Sequence, residues 1–294
     1  MTGPRIENAI DMHVHFGPDA IRGAELGAGG HSVTAIEAAR EAKETGHRGL
    51  VLKSHSFASP QLAENLAREI EGLEVFGGIC TDQPSGGLNV EGVATALALG
   101  AKVVWLPTVH SHQEWRNGKA EQMGLIGEGI RVIDDSGRPV EQVRAIFDLC
   151  QQYGAVLATG HTTLEEHHAI VKAFAREGKV LVTHAGERLA GPHLTPEQAR
   201  ELAEMGAYVE LTAQCCDPLF GHEPKTPEQM VEQLRHIGCD RCVLSTDYGW
   251  TTAVPHPAPG MVSFLERLWQ HGLSEDDLTT MAARNPARLL GLEG

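Results

Sequence analysis

The sequence predicts a (β/α)8 barrel of the TIM type, and three observations carry that prediction. Eight short, β-branched apolar runs alternate strictly with longer stretches of helical periodicity. Apolar strands flanked by helices belong to a parallel sheet buried on both faces. The 294 residues suit eight such units in one closed domain, since a barrel takes roughly 250 residues. A doubly wound open sheet is the alternative. It would normally carry a glycine-rich phosphate loop after an early strand, and neither GxGxxG nor GxxxxGK followed by Ser or Thr occurs.

The strands are expected at 8–15 (NAIDMHVH), 49–55 (GLVLKSH), 74–79 (EVFGGI), 101–108 (AKVVWLPT), 154–161 (GAVLATGH), 179–185 (KVLVTHA), 207–213 (AYVELTA) and 241–247 (RCVLSTD). The helix over 32–46 opens on a Ser32 cap and closes at Gly46. The helix over 195–206 opens on Thr195-Pro196, with Gln198 at capping-box spacing. Similar helices are expected over 137–154 and 163–178, and a C-terminal helix over about 274–292. The stretch 108–138 is too long for a plain connection. It reads as an insertion over the barrel mouth, with a small hairpin around Asp135-Ser136-Gly137. No Pro/Ser-rich linker or low-complexity tract divides the chain, so residues 1–294 are expected to form a single domain.

Lys plus Arg total 24 against 39 Asp plus Glu, a net charge of -15. Such a surface repels phosphate backbones and anionic membranes, which disfavours nucleic acid and lipid as partners. No apolar run approaches the ~18 residues of a membrane span. The opening MTGPRIENAI lacks a basic stretch ahead of an apolar one, so no signal peptide is expected. Six scattered cysteines (Cys80, Cys150, Cys215, Cys216, Cys239, Cys242) fit reduced thiols in a cytoplasm better than a disulfide framework. The expected partner is a small-molecule substrate, and homo-oligomerisation is compatible with the sequence.

The 16 histidines are the compositional oddity. His13 and His15 end the first expected strand, Lys53 and His55 the second, His161 the fifth, His184 the sixth and Asp247 the eighth. A barrel builds its site at the C-terminal ends of its strands, so these residues converge on one mouth. His13 and His15 stand two apart and share a face. Two imidazoles on one face, further imidazoles from other strands and a carboxylate make a site for zinc or a similar divalent ion. Any one of these histidines alone would read as a satisfied core residue; the set at matching strand ends does not.

The opening DMHVH, the strand ends ATGH, VTHAG and STDYG, and the closing NPARLLGL resemble the amidohydrolase superfamily, over nearly the whole chain from Asp11 to Leu292. The run is most similar to a branch of mostly unassigned substrates. The resemblance implies that His13, His15 and Asp247 bind one ion. It implies that His161 and His184 bind a second, or that in a one-metal site His161 joins the first and His184 polarises substrate. One or two divalent ions, zinc before others, are therefore expected. The sequence departs from the binuclear pattern at the fourth strand, where such enzymes commonly carry a bridging carboxylated lysine. Here that strand ends WLPTVHSH, without lysine or glutamate. Lys53 is the lysine placed to substitute. Unmodified, it would instead hold an anionic substrate or the oxyanion while pointing away from the metal, or snorkel to solvent.

His55, His110, His112 and Trp250 are expected substrate contacts, although a second HxH just past the fourth strand also reads as a solvated loop. Cys239 and Cys242 form a lone CxxC ahead of the last strand, at the stability face of the barrel. Glu210 is a charge inside a strand and needs a partner in the barrel. Asp11 is expected one layer below His13, bonded to a ligand histidine. GGLN at 86–89 reads as a turn and helix cap.

The expected activity is hydrolysis of a small amide, cyclic amide, lactone or other ester by metal-activated water. In it Asp247 moves the proton and His184 and Lys53 contribute to catalysis. A metal-dependent lyase on the same ligands, decarboxylase or hydratase, stays open, as does a barrel that only binds a ligand. A phosphoesterase of the polymerase-and-histidinol-phosphatase type also opens with HxH. It ends in Asp-x-His, however, where this chain has Asp247-Tyr248-Gly249.

Overall fold

A computed structural model of the chain describes residues 6–19, 30–125, 127–219 and 223–292. Eight strands pair in sequence order, each parallel to the next: β1 (Ile10–Val14), β2 (Gly49–Leu52), β3 (Glu74–Cys80), β4 (Val103–Trp105), β5 (Val156–Ala158), β6 (Val180–Val182), β7 (Tyr208–Thr212) and β8 (Cys242–Ser245). The circle closes where Val14 bridges Tyr248; there His15 N donates to Tyr248 O at 2.8 Å and Asp247 N to His13 O at 3.0 Å. This is the (β/α)8 barrel that the alternation predicted. The strands are shorter than expected. Their polar ends, from His15 to Asp247, lie past the ladder, where the backbone leaves the sheet and can turn its side chains into the mouth.

The helices are α1 (Ala35–Glu44), α2 (Pro60–Glu69), α3 (Val90–Ala98), α4 (His112–Arg116), α5 (Lys119–Gln122), α6 (Glu141–Tyr153), α7 (Leu164–Phe174), α8 (Pro196–Glu204), α9 (Pro227–Ile237), α10 (Pro257–Gln270), α11 (Glu275–Thr279) and α12 (Asn285–Leu290). A π-helical turn (Thr280–Arg284) joins the last two. α8 starts with the expected box of Thr195 and Gln198. α1 is capped by Thr34 rather than Ser32, because only Thr34 has a glutamate, Glu37, three residues on to complete the reciprocal box. Asn89 caps α3 through Gly92 N, so GGLN is a turn and cap. The 108–138 excursion holds α4 and α5, and Asp134 closes its hairpin by accepting from Ser136 N and Arg138 N. Residue 126 of that excursion and residues 1–5 of the opening segment lie outside the described residues. Among the described residues no helix is long and apolar enough to cross a membrane.

Ile10, Met12, Val51, Val103, Trp105 and Val243 fill the barrel interior. Ala287, Leu289 and Leu290 of α12 join them at the N-terminal end. Asn285 Nδ2 anchors this plug, donating to Cys239 O (3.2 Å) and Cys242 O (2.7 Å) at the start of β8. The CxxC therefore lies at the end opposite the mouth, and all six cysteines are free. Asn285→Ala should cost about 1–3 kcal/mol, because a buried carbonyl loses its donor. It should leave the mouth intact. Urea unfolding reads this, and an unchanged midpoint would remove Asn285 as the anchor.

Candidate metal centre

Five buried imidazoles from four strand ends form a closed circuit at the C-terminal mouth. Ring-centroid separations are 5.3 Å from His13 to His15, 5.0 Å from His15 to His55 and 6.2 Å from His55 to His161. His161 and His184 are 4.7 Å apart, and His184 returns to His13 at 5.8 Å. Asp247 Oδ1 faces this circuit, 3.0 Å from His13 Nε2 and 3.1 Å from His15 Nε2. One donor atom from each of these three residues lies within 4.8 Å of the other two. Asp247 (φ 59°) and His184 (φ 25°) both occupy left-handed backbone, where the chain bends sharply off β8 and β6. Asp247 N is held by His13 O, and His184 N donates to Glu210 Oε2 at 3.0 Å.

Glu210 finds its partner inside the barrel. Its Oε2 lies 3.1 Å from His13 Nδ1, and both residues are buried. A carboxylate accepts only, so His13 carries a proton on Nδ1 and turns Nε2 to the mouth, the arrangement typical of a metal-bound imidazole. Burial alone would lower the His13 pKa, but Asp247 and Glu210 raise it to about 9. Burial pushes His15, His161 and His184 well below the usual imidazole range, with Lys53 adding to the push on each. They are therefore neutral, the form that binds metal. Burial would raise the Asp247 pKa, but His13 and His15 hold it well below the carboxylate range. Two observations fit a divalent cation here. Asp247 Oδ1 meets His13 Nε2 and His15 Nε2 at hydrogen-bond distance, a donor set of two imidazoles and one carboxylate gathered at one point. Both ring nitrogens of His161 are buried without a hydrogen bond, with only Glu114 Oε1 standing 3.4 Å from Nδ1.

Lys53 is 1 % exposed, with Nζ 2.8 Å from His13 Nε2 and 5.7 Å from the centroid of Trp105. It neither snorkels to solvent nor points away from the ligands. Asp11 does not reach the ring of His13. Its carboxylate accepts from His13 N, Thr246 N and Thr246 Oγ1, stitching β1 to β8.

On the other side of the circuit, His55 Nδ1 lies 2.7 Å from Thr108 Oγ1, which donates to Asp82 Oδ2. Asp82 Oδ1 also accepts from Thr108 N (2.9 Å) and His110 N (3.0 Å). His110 Nδ1 stands 3.5 Å from the same oxygen. Asp19 pins the loop beneath, accepting from Ser54 Oγ and His55 N. His112 is not brought into this group. It begins α4 and is half-buried, because a helix starts there and ends the alternation that HxH assumes. Trp250 is half-buried near the mouth, where its Nε1 donates to Gln214 Oε1 at 2.6 Å. That bond fixes the amide, whose Nε2 donates to Asp247 Oδ2 (3.3 Å) and Glu187 Oε2 (3.2 Å). The excursion supplies Glu114, whose Oε1 lies 3.4 Å from His161 Nδ1; burial raises its pKa to about 7.

Asp19, Asp82, Glu114, Glu187 and Gln214 escaped the sequence reading. Asp82 alone left a signal: CTD after β3 matches STD after β8. The others sit in loops or short helical turns outside the strands, with no motif.

Fold and site define an eight-stranded parallel barrel with a buried imidazole–carboxylate centre at its C-terminal mouth. Residues 8–210, more than half of the chain, match a family of unknown function (DUF6282), and the chain belongs to that family. A search of curated proteins found no match. Among solved structures the chain is similar to an amidohydrolase from Pseudomonas aeruginosa, with 14% identity over 97% of this chain and 96% of that one, at a TM-score of 0.63. It is also similar to a probable dipeptidase from Pseudomonas aeruginosa, with 10% identity, 96% and 94% coverage, and a TM-score of 0.62. A third is a probable 2-pyrone-4,6-dicarboxylic acid hydrolase from Acinetobacter baumannii, with 11% identity, 97% and 99% coverage, and a TM-score of 0.56. At these identities the likeness establishes the shared barrel.

Proposed function

We propose that the protein is a metal-dependent hydrolase of a small amide, cyclic amide, lactone or other ester. The observation that carries this reading is the Asp247 carboxylate, set between His13 Nε2 and His15 Nε2 inside a buried histidine circuit. The names of the barrels that share the fold favour the same class. His13, His15 and Asp247 would hold one divalent ion, zinc before others, and His161 and His184 a second. When bound, such an ion polarises a carbonyl and lowers the pKa of water towards ~7.

The chain's own groups do the rest. Asp247 accepts the proton of the attacking water and passes it to the leaving group, while Gln214 keeps its second oxygen aimed. In a one-metal site His184 would instead stabilise the oxyanion that develops on the carbonyl. Lys53 serves as an anionic bridge between ions if carboxylated, and as a cation for the oxyanion if not. His110 and Trp250 form part of the wall around a small-molecule substrate. Zinc-loaded protein screened against amide, lactone, ester and phosphoester libraries tests this. Turnover of an amide, lactone or ester that a chelator abolishes is expected. Turnover confined to phosphoesters, or to a lyase reaction, would overturn it.

A further inference from the structure

We propose that Glu187 is a positioning residue of the metal centre, acting through the Gln214 amide to keep Asp247 Oδ1 turned towards His13 and His15. The inference rests on the metal-centre reading above and adds to it the group behind Gln214. Glu187 lies in the connection between β6 and α8, and Gln214 in the short turn that follows β7 (Ala213–Cys216). Both side chains are buried. Burying a carboxylate is costly unless its oxygens find donors, and Glu187 finds them on both sides.

The indole Nε1–H of Trp250 can only donate, and it meets Gln214 Oε1 at 2.6 Å. The amide is therefore oriented with Nε2 towards two carboxylates, 3.3 Å from Asp247 Oδ2 and 3.2 Å from Glu187 Oε2. Two hydrogens on Nε2 serve two acceptors. A flipped amide would set its oxygen against both carboxylates and its NH2 against the indole. Glu187 is itself held from the other end. Its Oε1 accepts from Arg188 N at 2.7 Å and Leu189 N at 2.8 Å, and its Oε2 also from Cys215 Sγ at 3.7 Å. Glu187 N donates to His184 O at 2.9 Å, which ties this segment to the end of β6.

A carboxylate suits this position and its amide does not. Glutamine would have to turn its NH2 either to Gln214 Nε2 or to the two backbone N–H groups, and donor would meet donor both ways. What the arrangement fixes is the rotation of the Asp247 carboxylate. Oδ1 lies 3.0 Å from His13 Nε2 and 3.1 Å from His15 Nε2, while Gln214 Nε2 holds Oδ2. Without that bond the carboxylate can turn about its stem and exchange the two oxygens. Without Glu187, the amide keeps its indole bond but loses an acceptor that sets the plane of its NH2. Partners behind a ligand act on metal affinity in this way.

Titrating metal-stripped protein with Zn2+ and with Co2+ against a competing chelator tests the proposal, read on the ion that His13→Ala fails to bind. Glu187→Gln should weaken that ion by about 10–100-fold and change the visible spectrum of bound Co2+. Gln214→Leu should weaken it as well. Because Glu187 acts through Gln214, adding Glu187→Gln to Gln214→Leu should weaken it no further. Circular dichroism and urea unfolding control for folding. A loss of stability in Glu187→Gln with wild-type affinity and Co2+ spectrum would make Glu187 structural and overturn the proposal. Additive losses in the double variant would overturn the route through Gln214. Where Glu187→Gln does not fold, Gln214→Leu decides, and wild-type affinity in it would overturn the proposal while leaving the hydrolase reading standing. No bound ion in wild type would overturn both.

Discussion

Replacing His13 with alanine should strip the centre of its first ion and abolish turnover while the barrel stays folded. Losing a hydrogen-bonded partner behind a ligand already costs ~10–100-fold in affinity or activity. Losing a ligand that meets Asp247 Oδ1, Lys53 Nζ and Glu210 at once must cost more. The fold survives because the interior beneath is apolar, built on Ile10, Met12, Val51 and Val243 and plugged by α12. Glu210 loses its imidazole but keeps the His184 N–H. The stability loss should therefore stay near the ~1–3 kcal/mol of one buried acceptor left short of a donor. Elemental analysis, circular dichroism and urea unfolding together check this. Full metal content and full turnover in His13→Ala would remove the centre from the chemistry.

Asp247→Asn should lower kcat by about 10²–10⁴-fold, the range of a lost general acid–base group, with a much smaller change in KM. The substitution is chosen for its backbone. Asn tolerates the left-handed conformation at φ 59°, so the turn off β8 survives, whereas alanine there would add strain. What asparagine cannot do is take a proton from water. It also presents one acceptor oxygen where Asp247 uses two, Oδ1 towards the imidazoles and Oδ2 towards Gln214 Nε2. Steady-state kinetics separate the two parameters. An unchanged kcat would take Asp247 out of the proton path, and a rise confined to KM would make it a binding residue.

All eight strands and the barrel were legible in the chain, because they rest on local periodicity and on short connections that leave few topologies. His13, His15, His161, His184 and Asp247 were legible because barrel geometry gathers strand ends without any need for exact register. The first cap was misplaced by two residues, since Ser32 and Thr34 both suit the position and only the returning Glu37 side chain decides between them. Asp11 was legible as a partner of His13, but that its bond goes to the His13 backbone N–H and that the same carboxylate holds Thr246 was not, because these contacts depend on how β1 meets β8.

The sequence by itself thus determined the architecture and the residues that gather at the mouth. Tertiary structure alone decided how those residues are held. Glu210 meets His13 across 197 positions, Asp82 after β3 reaches His55 through Thr108, two strands from His55, and Glu114 stands near His161 from an excursion with its own helices. Periodicity acts within one element and marks which residues point inward. A hydrogen bond between elements depends on register, bulges and loop paths set by packing of the whole chain, and distances of about 3 Å leave no tolerance for error in any of them.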